Sequence, residues 1–179
     1  MEVFEAAKTV LAVREFEDKS VKETTLNHII ESARLTGSSM NAQPWQFIII
    51  KNRETLSKLG SIVTSGSYTS KADFAIVVLI ETSSQYAISD ASRAIQSMIL
   101  TAWSEGIGSN WTGWVGMKKV GSLLGVPKSL DVIAIIPFGY PINKEIKGQK
   151  QRKPISEIVH KERFGQPFSK YKKTSDNIT

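Results

Sequence analysis

The chain has 179 residues, 41% of them hydrophobic and 8% aromatic, the profile of one ordinary globular domain that buries about 70% of the surface its unfolded form exposes. It contains no cysteine, which excludes disulfides, zinc–thiolate sites, iron–sulfur clusters and cysteine nucleophiles, and two histidines, His28 and His160, leave little room for a histidine metal cluster. The formal charge of +6 is uneven: residues 1–143 balance 13 bases against 13 acids, whereas residues 144–179 carry 10 bases and four acids.

In chain order, Val3, Phe4, Ala6, Ala7, Val10 and Leu11 form a helical face. Ser20 and Glu23 have capping-box spacing, and Leu26, Ile29, Ile30 and Ala33 then predict an amphipathic helix over 22–35. Gly37 to Asn41 reads as a loop. Trp45 to Ile50 reads as a strand, and a helix is expected at 53–60. Gly60 to Ser70, rich in Ser, Thr and Gly, reads as a mobile loop. Phe74 to Ile80 does not alternate, which predicts a strand buried on both faces. From Asp90, apolar positions at helical spacing predict a long helix over 90–105 that stops at Gly106. Residues 109–115 read as irregular or extended, 120–124 as a short helix and 132–138 as a strand. One α+β domain over 1–179 is the simplest arrangement, with 144–179 a basic extended arm that lacks a core of its own.

No apolar run approaches the ~20 residues of a membrane span; the longest clear one is Ala75 to Ile80. The start, Met1-Glu2-Val3-Phe4-Glu5, has acids where a secretory signal needs bases, so the expected location is cytoplasmic.

Most catalytic constellations are missing. There is no GxxxxGK[ST] loop and no GxSxG elbow, and Gly106-Ile107-Gly108-Ser109-Asn110-Trp111 lacks the third glycine and strand context of a dinucleotide fingerprint. His28 falls on the polar side of its helix and reads as a surface residue; His160 reads the same way. Three segments remain. Ser38, Ser39, Asn41 and Gln43 either offer hydrogen bonds to a flat polar ligand or cap their own turn. Trp111-Thr112-Gly113-Trp114 is either a pair of aromatic walls beside a glycine or core packing. Lys150-Gln151-Arg152-Lys153-Pro154 either binds a phosphate or is a solvated arm.

In this order the segments resemble the FMN-dependent nitroreductase family, with a similarity running from about residue 3 to 168. Ser38-Ser39-Met40-Asn41-Ala42-Gln43-Pro44-Trp45-Gln46-Phe47 carries it most specifically, matching the family's S-[SA]-x-N-x-Q-P-W-x-F. Val13-Arg14-Glu15-Phe16, Glu105 to Gly113, Gly139-Tyr140-Pro141, Lys150-x-Arg152-x-Pro154 and Glu162-Arg163-Phe164-Gly165 follow in the family's order.

The resemblance implies an α+β fold with a central, mainly antiparallel sheet flanked by helices, in an intertwined homodimer with two FMN sites built from both subunits. Arg14, Lys150 and Arg152 would hold the phosphate or ribityl end. Ser38, Ser39, Met40 and Asn41 would reach the flavin from the partner chain. Thr112, Gly113 and Trp114 would lie along the isoalloxazine, where N–H groups bond N5 and O4 and stabilise the charge that develops there. The helix over 90–105 would form the dimer core, and the arm would wrap the partner.

NADH or NADPH would deliver hydride, and a nitroaromatic or quinone would accept the electrons, with no catalytic side chain and no metal required. Val10 and Ala12 depart from the family, which usually has an arginine and a serine there; losing one charged bond to phosphate costs ~1.5–3 kcal/mol. Alternatives are a specialised flavin enzyme of the same fold (dehydrogenation, dehalogenation), a non-catalytic flavin binder and, more remotely, a nucleic-acid module acting through the basic tail.

Overall fold

The computed structural model describes residues 1–143 and 150–168. The chain divides into two units, Met1–Ile146 and Lys147–Thr179. The first unit runs α1 (Val3–Thr9), α2 (Glu23–Arg34), β1 (Trp45–Ile50), α3 (Arg53–Ile62), β2 (Phe74–Glu81), α4 (Ala87–Ser104), β3 (Gly108–Ser109), α5 (Met117–Leu123) and β4 (Leu130–Gly139). Segments of 3₁₀ type lie at Ser39–Asn41 and, with a kink at Gly66, at Thr64–Lys71.

β2 is buried at every position but its last, as seven consecutive apolar residues require. It pairs antiparallel with β1 on one side, Trp45 opposite Ile80, and with β4 on the other, Phe74 opposite Phe138. The two-residue β3 joins the far end of β4, Gly108 opposite Gly139, giving the order β1-β2-β4-β3. One sheet face, through Phe74, Ile76, Val78 and Ile80, packs on α2 and α4. The other, through Ala75, Val77 and Leu79, packs on α3 and α5. The expected α+β class, an antiparallel sheet between helices, is the one observed.

Three local expectations change. The Ser20–Glu23 capping box does not form: Lys22 precedes the first turn of α2 without a side-chain cap, and the Glu23 carboxylate pairs with Lys51 Nζ at 2.8 Å. The stretch 60–70 is no open loop. α3 continues to Ile62, capped at its start by Asn52 Oδ1 accepting from Thr55 N–H at 2.9 Å, and the following 3₁₀ segment is clamped by Arg53, which donates to the carbonyls of Ser70 and Ala72. Small residues are needed here for contact rather than freedom, since a Cβ on Gly60 would lie 2.9 Å from the Ser67 carbonyl oxygen. Finally, α4 starts at Ala87, before Asp90, and ends where Gly106 takes φ +80°.

In the second unit, α6 (Ile155–Ile158) follows Pro154, and an antiparallel bridge between His160 and Pro167 closes a turn in which the His160 and Phe164 rings lie 4.5 Å apart. Of the arm expected over 144–179, residues 144–149 and 169–179 lie outside the described residues. Among the described residues no helix is long and apolar enough to cross a membrane, and no group of side chains could hold a metal ion.

Candidate functional site

The loop between α2 and β1 is locked from within. Met40, Asn41 and Gln43 all have positive φ (53°, 56° and 50°), which costs an L-residue roughly 1–2 kcal/mol each, least for asparagine. Hydrogen bonds offset this strain. The Ser38 hydroxyl accepts from Gln43 N–H at 2.9 Å, and the Gln43 side-chain amide donates to the carbonyl and side-chain oxygens of Asn41 at 3.2 and 3.3 Å. Ser39 is held by its N–H and its hydroxyl, 3.0 and 3.1 Å from the two carboxylate oxygens of Asp90. Both serines therefore fasten the loop, and Met40, 83% exposed, and Asn41 project from it.

Asp90 is fully buried on the first turn of α4 and also receives Arg93. Burial pushes its carboxyl up, but the bonds from Ser39 N–H, Arg93 and the Ser39 hydroxyl together outweigh it and hold it below the usual aspartate value. Because the folded-state value is depressed, the stabilisation this cluster supplies is complete above about pH 4 and is lost as the pH falls below it.

The segment after β3 is fixed differently. Thr112 exchanges both backbone bonds with Ile135, N–H to carbonyl at 3.0 Å and the reverse at 2.8 Å, so its N–H is spent on the sheet. Its buried hydroxyl lies 2.8 Å from the Tyr68 hydroxyl, which also accepts from the Asn110 side-chain amide at 2.7 Å. Gly113 then passes so close to β4 that a Cβ would stand 3.0 Å from the Ile133 carbonyl oxygen. Trp114 sits at φ 75° and is 96% exposed, which disposes of the core-packing alternative for it. Among the described residues no acceptor takes the N–H of Gly113 or Trp114.

Arg14 lies on an extended stretch threaded beside β3, with Val13 N–H donating to the Ser109 carbonyl at 2.9 Å and Ala12 bridged to Ser109. Val13 and Phe16 point into the core, and Arg14 is exposed, with no ion pair to any described residue. In the second unit Lys150 is half-buried and Arg152 exposed; burial, then the Arg152 charge, pushes the Lys150 ammonium below the usual lysine value.

Within the first unit Arg14 and the 38–43 loop do not meet. Arg14 belongs to the end of the sheet where Phe74 faces Phe138, and the 38–43 loop to the end where Glu81 N–H bonds the Pro44 carbonyl. Seven residues of β2 separate the two ends, about 23 Å at strand rise. A groove of about 1190 Å³, lined among others by Trp111, Trp114, Met117, Lys118, Lys119 and Ile133, opens beside the Thr112–Trp114 segment. Residues to which sequence reasoning gave no site role, Gly66, Asn110, Asp90 and Arg93, hold the two segments in place together with Tyr68. Asp90 read only as a helix start, and no local pattern signals its contact with Ser39.

The model of the nitroreductase family matches residues 11–82 and 69–140. The chain belongs to the nitroreductase family. A protein of Methanothermobacter thermautotrophicus, provisionally named NADH dehydrogenase/NAD(P)H nitroreductase, is 32% identical over 149 residues, covering 79% of this chain and 78% of the relative. A protein of the same provisional name from Archaeoglobus fulgidus is 30% identical over 162 residues, covering 86% and 93%. Among solved structures, an FMN-dependent nitroreductase from Clostridium difficile superposes with a TM-score of 0.82 at 26% identity, covering 90% of this chain and 99% of that one. This nitroreductase-family chain thus has the family's fold along most of its length.

Proposed function

We propose that the chain is an FMN-dependent oxidoreductase that takes electrons from NADH or NADPH in the cytoplasm and passes them to nitroaromatic or quinone acceptors, as a homodimer whose two sites each draw on both copies. The greatest support comes from the Thr112–Trp114 segment: its backbone is pinned to the sheet at Thr112, and the next two N–H groups have no acceptor among the described residues. That donor set suits the acceptor atoms along one edge of a flavin. When bound, FMN supplies hydride chemistry at N5.

The protein's own part is binding and orientation. The N–H groups of Gly113 and Trp114 would donate to the ring edge and favour negative charge there, next to a residue, Thr112, that the sheet already holds. Arg14 pairs with the phosphate, and Lys150 and Arg152 are proposed for the same anion on their charge alone. Asn41 and Met40 reach the flavin from the partner, an arrangement favoured by the ~23 Å between the loop and the Arg14 end of the sheet. Ser38 and Ser39 act mainly by holding that loop, although each hydroxyl keeps capacity for further bonds. The groove beside Trp114 gives the acceptor room to approach.

Steady-state oxidation of NADPH and NADH by FMN-reconstituted protein tests this with a simple quinone and a nitroaromatic as acceptors. Saturable turnover with both acceptors is expected, from a species that sediments as a dimer. Protein that is reduced by the nucleotide yet ignores every generic acceptor would contradict the broad-acceptor reading and point to a specialised substrate.

A further inference from the structure

We infer that Asp90, charge-paired with Arg93, is the positioning residue that sets the conformation of the 38–43 loop and thereby the affinity of the site for FMN. This inference rests on the reading of that loop as part of the cofactor site. The observation behind it is the pairing of two unfavourable features that make sense only together. One is a carboxylate with no exposed surface at the start of a helix. The other is a loop with three non-glycine residues in the left-handed region within four positions.

A buried carboxylate is retained only where its lone pairs are satisfied, and here each oxygen has a partner: Oδ2 takes the Ser39 N–H at 3.0 Å, and Oδ1 takes the Ser39 hydroxyl at 3.1 Å and Arg93. The two contacts join residues 51 apart in sequence and fix both position and orientation of the residue immediately before Met40. Met40 and Asn41 then follow in the left-handed region, and their side chains turn outward. Without the clamp, Ser38 and Gln43 would still close the base of the loop, but nothing described here would hold its tip to α4. The loop would relax towards ordinary backbone, and the ligand would have to meet the cost of reordering it. Asp90 has no exposed surface with which to meet a ligand. It acts through Ser39, and Arg93 neutralises the buried charge.

The test is FMN binding, followed by flavin fluorescence quenching, for the full chain and for Asp90→Asn, Ser39→Ala, Asn41→Ala and the double variant Asp90→Asn/Asn41→Ala. Asparagine keeps the size but cannot accept all three donors, so Asp90→Asn is expected to weaken FMN about tenfold or more. Ser39→Ala, which removes the hydroxyl bond and keeps the N–H bond to Asp90, loosens the clamp only in part and is expected to weaken it by a smaller factor, and it carries the test if Asp90→Asn does not fold. The double variant distinguishes positioning from general destabilisation. If Asp90 acts through the loop, its effect shrinks when Asn41 is already truncated; if it merely stabilises the fold, the two losses multiply. Multiplying losses, or unchanged FMN affinity in both Asp90→Asn and Ser39→Ala, would overturn the inference. Wild-type protein that binds no FMN would instead overturn the cofactor reading on which it rests.

Discussion

Arg14→Ala is expected to weaken FMN binding roughly 10- to 150-fold while leaving riboflavin binding unchanged, measured by fluorescence titration of both flavins. The size follows from one charge-assisted hydrogen bond, ~1.5–3 kcal/mol. The direction follows from chemistry: riboflavin has the ring and the ribityl chain but no phosphate. Arg14 should matter more here than in a member with the usual arginine and serine upstream, because Val10 and Ala12 offer the phosphate no charge and no hydroxyl. Its setting permits the role. Val13 and Phe16 anchor the strand segment in the core on either side, so the Arg14 backbone is fixed and its exposed guanidinium has no other described partner. Equal losses for FMN and riboflavin would show that Arg14 supports the fold or the ring rather than the phosphate.

The second large effect is expected at Gly66. A Cβ there would lie 2.2 Å from Thr112 Cγ2 and 2.8 Å from its hydroxyl oxygen. Thr112 cannot step aside, since both its backbone groups are bonded to Ile135 and its hydroxyl to Tyr68. Either the 3₁₀ segment or the Thr112–Trp114 stretch must move. Gly66→Ala is therefore expected to cost about 1–3 kcal/mol in urea unfolding and to weaken FMN as well, because the stretch that moves carries the two donor N–H groups. Adding Thr112→Ser, which removes the nearest methyl, should recover part of the stability. An unchanged urea midpoint for Gly66→Ala would show that the two segments are not in the contact described.

Where the sequence was informative, the physical cause was local. Seven apolar residues in a row from Phe74 can only be a strand with both faces covered, and the spacing of Leu26, Ile29 and Ala33 leaves one face for the core. The glycine stop at Gly106 is likewise a property of one residue. The Ser38–Gln43 stretch is legible as a polar loop, and the structure bears out its self-capping; its contact with a ligand is a proposal. It caps itself through Ser38 and Gln43, while Met40 and Asn41 remain outward.

What could not be read is what depends on contacts distant in sequence. Asp90 meets Ser39 across 51 residues, and Tyr68 meets Thr112 across 44. The Ser20–Glu23 pattern was misleading because Lys51, brought near by the fold, supplies Glu23 with a better partner than a cap. On composition Gly60 to Ser70 reads as a mobile loop; small residues there instead allow α3 and the 3₁₀ segment to touch. The spent N–H of Thr112 follows from a backbone bridge to Ile135 that side-chain patterns do not encode. Nor do they encode the N–H groups of Gly113 and Trp114, which no acceptor takes among the described residues.

The most direct test of the cofactor site and its chemistry is the visible absorption spectrum of the protein after incubation with FMN and removal of excess, recorded anaerobically before and after addition of NADPH and, separately, NADH. The expected result is a retained flavin band that bleaches with at least one of the two nucleotides, and the faster one names the donor. A band that persists with both would contradict the oxidoreductase reading and leave a flavin-binding protein. No retained band at all would contradict the cofactor site itself, including the roles proposed for Arg14, Asn41 and the Gly113–Trp114 backbone.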